Sequence, residues 1–133
     1  GETFTAIRGG GARLNGEVIR CSDKTDLRRA VLSTGMPVDR AENPDNNLDN
    51  ISRVVNELRG LRRLGSAAID LCYVGAGFLD GYWELALHRW DVAAGRLIAA
   101  EAGADIVDLR PDRRYSVMAS APGLTEQLKR LIH

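Results

Sequence analysis

Short apolar runs with a period of two open the chain and predict β-strands. Residues 2–7 (ETFTAI) are rich in β-branched and aromatic side chains, and residues 12–19 (ARLNGEVI) surround an Asn-Gly pair, the strongest hairpin signal in the sequence. A glycine triplet separates the two runs. We therefore predict a hairpin at the start of the chain, followed by a third strand over residues 29–34.

A helical period replaces the strand pattern after the loop 35–46, which is rich in Gly, Pro, Asn and Asp. Apolar positions recur every three or four residues from Leu48 to Leu61, with acids early and arginines late, as the helix dipole favours. This pattern predicts an amphipathic helix of about four turns. Asp45 or Asn46 would be its N-cap.

The second half of the chain alternates helices with strands. Ser66 is predicted to cap a helix that runs to about Val74, and residues 91–102 form a helix that ends at Gly103. The other predicted elements are strands over residues 79–85, 105–109 and 115–121 and a last helix from Pro122. The order of elements predicts a single α/β domain over residues 1–133, a layered α/β/α domain with a mixed β-sheet flanked by helices.

Composition and charge exclude several classes of protein. With 133 residues, 44% of them hydrophobic and 27% charged, the chain has the make-up of a soluble globular domain. Lysine plus arginine equal aspartate plus glutamate at 18 each, so no net field favours nucleic acid or a membrane surface. The two cysteines, Cys21 and Cys72, match no metal-ligand spacing. They predict reduced thiols of a cytoplasmic protein, with a single disulfide bridge as the alternative.

Gly65-Ser66-Ala67, at the start of the second predicted helix, is the first candidate for chemistry. Free helix amides, a hydroxyl group and a glycine that admits close approach, next to Arg62 and Arg63, are typical of an anion or phosphate site. An ordinary serine cap with solvated arginines nearby explains the same residues.

Asp91 is the second candidate, because it opens the predicted helix 91–102 and is followed by small residues. Aspartate is among the best N-caps, and small residues let a helix pack closely. In the alternative interpretation, Asp91 faces a pocket as an oxygen ligand for Mg²⁺, which binds one or two carboxylates together with a substrate phosphate.

A family resemblance covers nearly the whole chain. Residues 90–104 (WDVAAGRLIAAEAGA) resemble the C-terminal signature of the inositol monophosphatase family, which has Trp-Asp, small residues, a glycine and then Glu-Ala-Gly-Gly. Ala104 departs from it, since a second glycine is usual there. Residues 1–19 look like the hairpin that follows the family's first half, and residues 62–84 resemble the segment that touches phosphate and sugar.

The resemblance implies a reaction and a set of partners. In that family Mg²⁺ ions activate a water molecule that attacks a phosphate monoester in line, and lithium inhibits. The implied substrate is a small phosphorylated polyol or sugar, with inositol monophosphate first. Histidinol phosphate, fructose 1,6-bisphosphate and 3′-phosphonucleotides are the alternatives. Relatives are homodimers, so we expect a homodimer without a nucleic-acid or membrane partner.

The resemblance also implies roles for particular residues. Asp91 is similar to the carboxylate that helps to hold the second metal ion, and Gly65, Ser66 and Ala67 match the helix start that contacts substrate. Glu84 corresponds to an acid that binds a substrate hydroxyl, and His88 to a phosphate-contacting histidine. Without these roles, Glu84 would be a solvated acid on an edge strand and His88 a loop residue.

One part of the family pattern is missing. The motif Asp-Pro-(Ile or Leu)-Asp-Gly-Thr and the glutamate ligand that accompanies it do not occur in this sequence. Asp91 alone would hold Mg²⁺ poorly, because the other carboxylates supply most of the charge. We therefore expect the second half of a phosphatase, without its N-terminal metal-binding half and inactive by itself. A binding or structural module that keeps the fold without catalysis is the alternative.

Overall fold

The computed structural model describes all 133 residues. The strands are β1 (Phe4–Ile7), β2 (Gly11–Leu14), β3 (Glu17–Val18), β4 (Val31–Thr34), β5 (Gly60–Arg62), β6 (Gly81–Glu84), β7 (Asp105–Asp108) and β8 (Val117–Ser120). The α-helices are α1 (Leu48–Val54), α2 (Ala67–Gly75), α3 (Arg89–Glu101) and α4 (Thr125–Leu131). Single 3₁₀ turns occupy Leu27–Arg29, Val55–Glu57 and Pro122–Leu124.

A mixed sheet of five strands, in the order β5-β4-β6-β8-β7, forms the centre of the fold. β4 runs parallel to β5 and β6, and β8 runs antiparallel to β6 and β7. Because side chains alternate along a strand, Trp83 packs on the face that carries α1 and α4, whereas Tyr82 packs on the face that carries α2 and α3. Both side chains are fully buried. The predicted layered α/β/α arrangement is confirmed.

The predicted hairpin is confirmed, but it lies outside the mixed sheet. β1, β2 and β3 form a separate antiparallel sheet. Asn15 and Gly16 both have positive φ, at 50° and 86°, which suits the tight turn between β2 and β3. Ala12 of this sheet packs against Ile98 and Ala102 of α3, so the small sheet covers the outer side of α3.

The predicted helix of four turns from Asp45 is wrong in length, because α1 ends at Val54 and a 3₁₀ turn leads into β5. Leu61 belongs to β5, where it pairs with Leu32 of β4. The edge of β4 offers main-chain hydrogen bonds that a continued helix could not use, and Leu61 still packs against the core. Sheet pairing therefore overrides the helical period over the last part of this segment.

The start of α1 also differs from the prediction. The N-cap is Asn47, with φ at 75°, and its side chain makes no cap hydrogen bond. Asn46, one of the two predicted caps, nevertheless accepts a hydrogen bond from the Leu48 N–H through Oδ1 at 3.0 Å. The side chain of Asn47 is used elsewhere, at the candidate site.

The end of α3 agrees with the prediction, and its contact with α2 explains part of its composition. Gly103 has φ at 100°, which favours glycine after a helix. At Gly95, a Cβ atom would lie 2.9 Å from Cβ of Leu71 on α2, so the two helices approach closely at this position. Both cysteines are free, and none of the helices is long and apolar enough to cross a bilayer.

Candidate functional site

An open cleft of about 490 Å³ lies at the carboxyl ends of β4 and β6, where the loop 35–46 meets the starts of α2 and α3. Ligands of open α/β sheets commonly bind beyond the carboxyl ends of parallel strands. The cleft brings together five of the predicted site residues, which are Gly65, Ser66, Ala67, Glu84 and Asp91. His88 does not belong to its lining.

The start of α2 forms one wall of the cleft. Ser66 is the N-cap, as predicted, and its Oγ accepts a hydrogen bond from the Ile69 N–H at 3.3 Å. Gly65 has φ at 87°, so the turn into the helix favours glycine, although the space around it is open. The partial positive charge of a helix start and the nearby cation Arg63, which also lines the cleft, favour an anion at this wall.

Glu84 forms the floor of the cleft at the end of β6, a central strand, so the alternative interpretation of Glu84 as a solvated acid on an edge strand is wrong. The side chain is half-buried, and its Oε1 accepts a hydrogen bond from the Tyr82 hydroxyl at 2.6 Å. Burial raises the pKa of Glu84, while the Tyr82 hydrogen bond and the charge of Arg63 lower it. A carboxylate in this position can accept a further hydrogen bond from a ligand hydroxyl.

Asp91 lies in the first turn of α3, exposed and facing the cleft. The prediction that it caps the helix is wrong, because His88 is the N-cap and accepts the Asp91 N–H at 3.1 Å. α3 begins two residues earlier than the predicted start, which moves Asp91 inside the helix, where the dipole still favours its charge. The pocket-facing interpretation of Asp91 agrees with its position.

The acids of the cleft do not make a complete magnesium site. The chain contains no group of three or more His, Cys, Asp or Glu side chains placed to hold a metal ion. Asp91 can supply one carboxylate oxygen, which Mg²⁺ prefers, but the ion needs further oxygen ligands. The residues therefore fit part of a metal site only.

His88 occupies the rim of α3 instead of the cleft. Its exposed ring stacks on Trp90, with ring centres 4.3 Å apart, and its Nε2 lies 2.8 Å from Nη2 of Arg114. It begins α3 as the N-cap without using its side chain for the cap. The predicted grouping of His88 with the other site residues is thus not formed within this chain.

Two buried polar groups beneath the cleft were missed by sequence reasoning. Asp70 on α2 is 1% exposed, and Ser33 on β4 is fully buried. Burial and the charge of Glu84 raise the pKa of Asp70 to about 6, and the Ser33 hydroxyl opposes this rise. An acid on the apolar face of a helix was the available signal, because Leu71 and Val74 beside it belong to the core.

A third missed residue, Asn47, ties the loop 35–46 to the sheet. Its Nδ2 donates to Oγ1 of Thr34 and to the carbonyl oxygen of Gly35, both at 2.8 Å. Its Oδ1 accepts from Nε1 of Trp83 at 2.6 Å. The sequence indicated only flexibility for this loop, yet a buried network joins its two ends, and the Gly35 end borders the cleft.

Comparison with known proteins agrees with this geometry. The model of the inositol monophosphatase family matches residues 1–132. The chain belongs to the inositol monophosphatase family. Its relatives include Nus factor SuhB of Vibrio cholerae, 44% identical over 125 residues (91% of this chain and 47% of the relative), and Nus factor SuhB of Escherichia coli K12, 42% identical over 114 residues (86% and 43%). The chain thus spans about half the length of the curated relatives it matches.

Solved structures of the family have the same fold. Inositol monophosphatase from Anabaena superimposes with a TM-score of 0.92 at 36% identity, over 98% of this chain and 53% of that one. The extragenic suppressor protein SuhB of Bartonella henselae superimposes with a TM-score of 0.89 at 39% identity, over 98% and 51%. The resemblance in the sequence and the α/β fold class are both confirmed.

Proposed function

We propose that this chain is the second half of a Mg²⁺-dependent phosphatase that hydrolyses a small phosphate monoester by attack of water on phosphorus. The convergence of three groups on one cleft carries the proposal: the helix start at Ser66, the hydroxyl acceptor Glu84 and the exposed carboxylate Asp91. Each of them alone has an ordinary structural explanation. Their meeting at the carboxyl ends of parallel strands does not follow from those explanations.

Phosphate binding, substrate orientation and metal binding would be carried out by different groups of the cleft. The amides at the start of α2, with Arg63, would bind phosphate oxygens. Glu84 would accept a hydrogen bond from a substrate hydroxyl and so orient the substrate. Asp91 would contribute one ligand to a magnesium site whose other ligands come from a first half. Magnesium, when bound, supplies the positive charge that makes water a nucleophile at neutral pH and stabilises the leaving oxygen.

A phosphorylated polyol fits this arrangement, and inositol monophosphate is the first substrate to test. Its hydroxyl groups complement the acceptor Glu84 next to an anion-binding wall. Histidinol phosphate, fructose 1,6-bisphosphate and 3′-phosphonucleotides are the alternatives. We further propose a cytoplasmic homodimer that lithium inhibits.

The decisive experiment compares two substrates in the full-length phosphatase, meaning this chain joined to its first half. Activity on inositol 1-phosphate should require Mg²⁺. Glu84→Gln should weaken turnover of inositol 1-phosphate by about 1.5–3 kcal/mol, the value of a hydrogen bond to a charged group. Turnover of p-nitrophenyl phosphate, which has no such hydroxyl, should change little. Equal losses on both substrates would remove Glu84 from the proposed role.

The names of the relatives favour a second candidate. Several are called Nus factor SuhB, and that name points to a transcription-related role for those proteins. A non-catalytic binding role on the same fold would explain it. Asp91→Asn separates the two candidates, because it should abolish hydrolysis and leave a role that depends only on the folded surface intact.

A further inference from the structure

The Glu84 carboxyl group occupies space that only a glycine at position 35 leaves free. A Cβ atom at Gly35 would lie 2.6 Å from both Cδ and Oε1 of Glu84, and 2.8 Å from Oε2. Such contacts are far shorter than van der Waals distance. The backbone of Gly35 does not need positive φ, so the position of the carboxyl group, not the turn, requires glycine here.

Tyr82 holds the same carboxyl group from the inner side. Its hydroxyl donates to Glu84 Oε1 at 2.6 Å, and the fully buried ring packs with Leu71 and Val74 of α2. Burial and the charges of Glu84 and Asp70 raise the pKa of Tyr82, so the hydroxyl keeps its proton at physiological pH and donates it. Oε1 of Glu84 is therefore hydrogen-bonded to a buried donor, whereas Oε2 has no hydrogen-bond partner within the chain.

Asp70 lies deeper than Glu84 on the same face of the sheet. Ser33 pairs with Tyr82 across β4 and β6, so these two side chains are neighbours on one face of the sheet. Asp70 of α2 lies close to both, because its charge raises the pKa of Tyr82 and the Ser33 hydroxyl lowers the pKa of Asp70. Oδ1 of Asp70 is buried without a hydrogen-bond partner. A second acid below Glu84 disfavours rotation of the Glu84 carboxylate toward the core, because like charges repel.

On the basis of the function proposed above, we propose that Tyr82 is a positioning residue that works with Gly35 and Asp70 to hold the Glu84 carboxylate. One carboxylate oxygen is bonded inward, and the other faces the cleft to accept a hydrogen bond from a substrate hydroxyl. Tyr82 thereby makes the cleft selective for phosphorylated polyols without touching substrate itself. If Tyr82 served only the core, its substitution would change the turnover of all substrates alike.

The test is Tyr82→Phe in the full-length phosphatase, with steady-state kinetics on inositol 1-phosphate and p-nitrophenyl phosphate. Phe keeps the ring and removes the donor. KM for inositol 1-phosphate should rise about tenfold, the factor that corresponds to one hydrogen bond of about 1.4 kcal/mol. kcat on this substrate and both constants for p-nitrophenyl phosphate should stay within about twofold, the usual error of independent sites.

A double variant distinguishes positioning from core packing. If Tyr82 acts through Glu84, then Tyr82→Phe combined with Glu84→Gln should lose no more than Glu84→Gln alone, because residues that act through one another are not additive. Tyr115→Phe is the matched control: Tyr115 is buried outside the cleft lining and its hydroxyl has no hydrogen-bond partner. This control should leave both substrates unaffected.

The outcomes separate this role from the function on which it depends. Equal losses on the two substrates, or additive losses in the double variant, would overturn the positioning role in an active enzyme. A parent enzyme without Mg²⁺-dependent activity on either substrate would overturn the proposed function and this role with it. If Tyr82→Phe does not fold, Gly35→Ala decides the question: it displaces the Glu84 carboxyl group and should raise KM for inositol 1-phosphate selectively, and an unchanged KM would overturn the role.

Discussion

Glu101, at the end of α3, accepts a hydrogen bond from the N–H of Gly11 at 2.9 Å, and this bond joins residues 90 positions apart. Its other oxygen accepts the Gly9 N–H at 3.0 Å. The two bonds fasten the N-terminal sheet to α3, and they hold the pKa of Glu101 below its usual range. Glu101 lies roughly 15 Å from Asp91 at the helical rise of 1.5 Å per residue, so it does not share the cleft.

Glu101→Gln should loosen the N-terminal sheet. The two main-chain N–H groups bond to different carboxylate oxygens, and Gln keeps only one oxygen because its NH2 group cannot accept. The amides of β1 and β2 should therefore exchange with solvent faster, while those of β4 and β6 do not. Because the folded pKa is lowered, the carboxylate's contribution is present above the ordinary range of Glu and is lost as the pH falls through the folded pKa. Hydrogen exchange in β1 and β2, measured above the ordinary pKa range of Glu and again below the folded pKa of Glu101, tests this loss of stabilisation.

Glu126→Gln is the control for that experiment. Glu126 is exposed on α4, and its ion-pair partner is Lys129 at 3.8 Å. It should leave exchange in β1 and β2 unchanged. Equal protection of β1 and β2 in the parent and in Glu101→Gln would show that apolar packing against Ile98 and Ala102 of α3 is enough to hold the sheet.

Gly95→Ala should destabilise the protein although alanine is the better helix former. Alanine would contribute about 1 kcal/mol of helix propensity. The added methyl group would lie 2.9 Å from Cβ of Leu71 and 3.2 Å from the carbonyl oxygen of Ala68. Overpacking of this kind costs about 1–3 kcal/mol, so we expect a net loss of up to about 2 kcal/mol in urea denaturation.

Ala93→Gly, on the exposed side of α3, measures the effect of helix propensity on stability without a change in the contact between α2 and α3. It should cost about 1 kcal/mol by itself, without any change in helix packing. A Gly95→Ala protein more stable than its parent would mean that α3 can move away from α2 at little cost.

Asp70→Asn should stabilise the protein at alkaline pH and not at acid pH. Folding raises the pKa of Asp70 from 3.8 to about 6, so between these values the folded protein binds more protons than the unfolded chain. Stability therefore falls as the pH rises through this window, by as much as about 3 kcal/mol for two pKa units. Asn carries no charge, so its advantage should be complete above pH 6 and absent below pH 3.8.

Melting curves at several pH values measure this difference, and Asp112→Asn is the control. Asp112 is exposed, and its hydrogen bond and ion pair with Arg113 hold its pKa below the usual range. Asp112→Asn should therefore give no increase in stability at alkaline pH. A pH-independent difference between Asp70→Asn and the parent would mean that folding does not shift the pKa of Asp70.

Asp91→Asn should abolish Mg²⁺-dependent turnover in the full-length phosphatase and leave its melting temperature nearly unchanged. The side chain is exposed, so the fold does not depend on it. Loss of even an outer partner of a metal ligand costs 10–100-fold, so we expect a loss of more than about 100-fold. The 133-residue chain alone should be inactive, and robust turnover by it would contradict the shared metal site.

Local patterns were sufficient for most elements and for part of the site. The Asn15-Gly16 turn, the Ser66 cap and Gly103 act within a few residues, and each was predicted correctly. The resemblance singled out Glu84 and the Gly65–Ala67 helix start, which the fold brings to one cleft.

The sequence by itself determined the family, most of the strands and helices and five of the residues that border the cleft, because these depend on short-range preferences or on a long signature. Only the tertiary structure decided that Leu61 joins β5 and that the hairpin lies on α3. It also decided that the Tyr82 hydroxyl donates to Glu84 and that the buried Asp70 lies close enough for the charge of Glu84 to raise its pKa. Sheet pairing and burial join residues that are far apart in sequence, and no local period records which partner a strand edge or a buried acid will find.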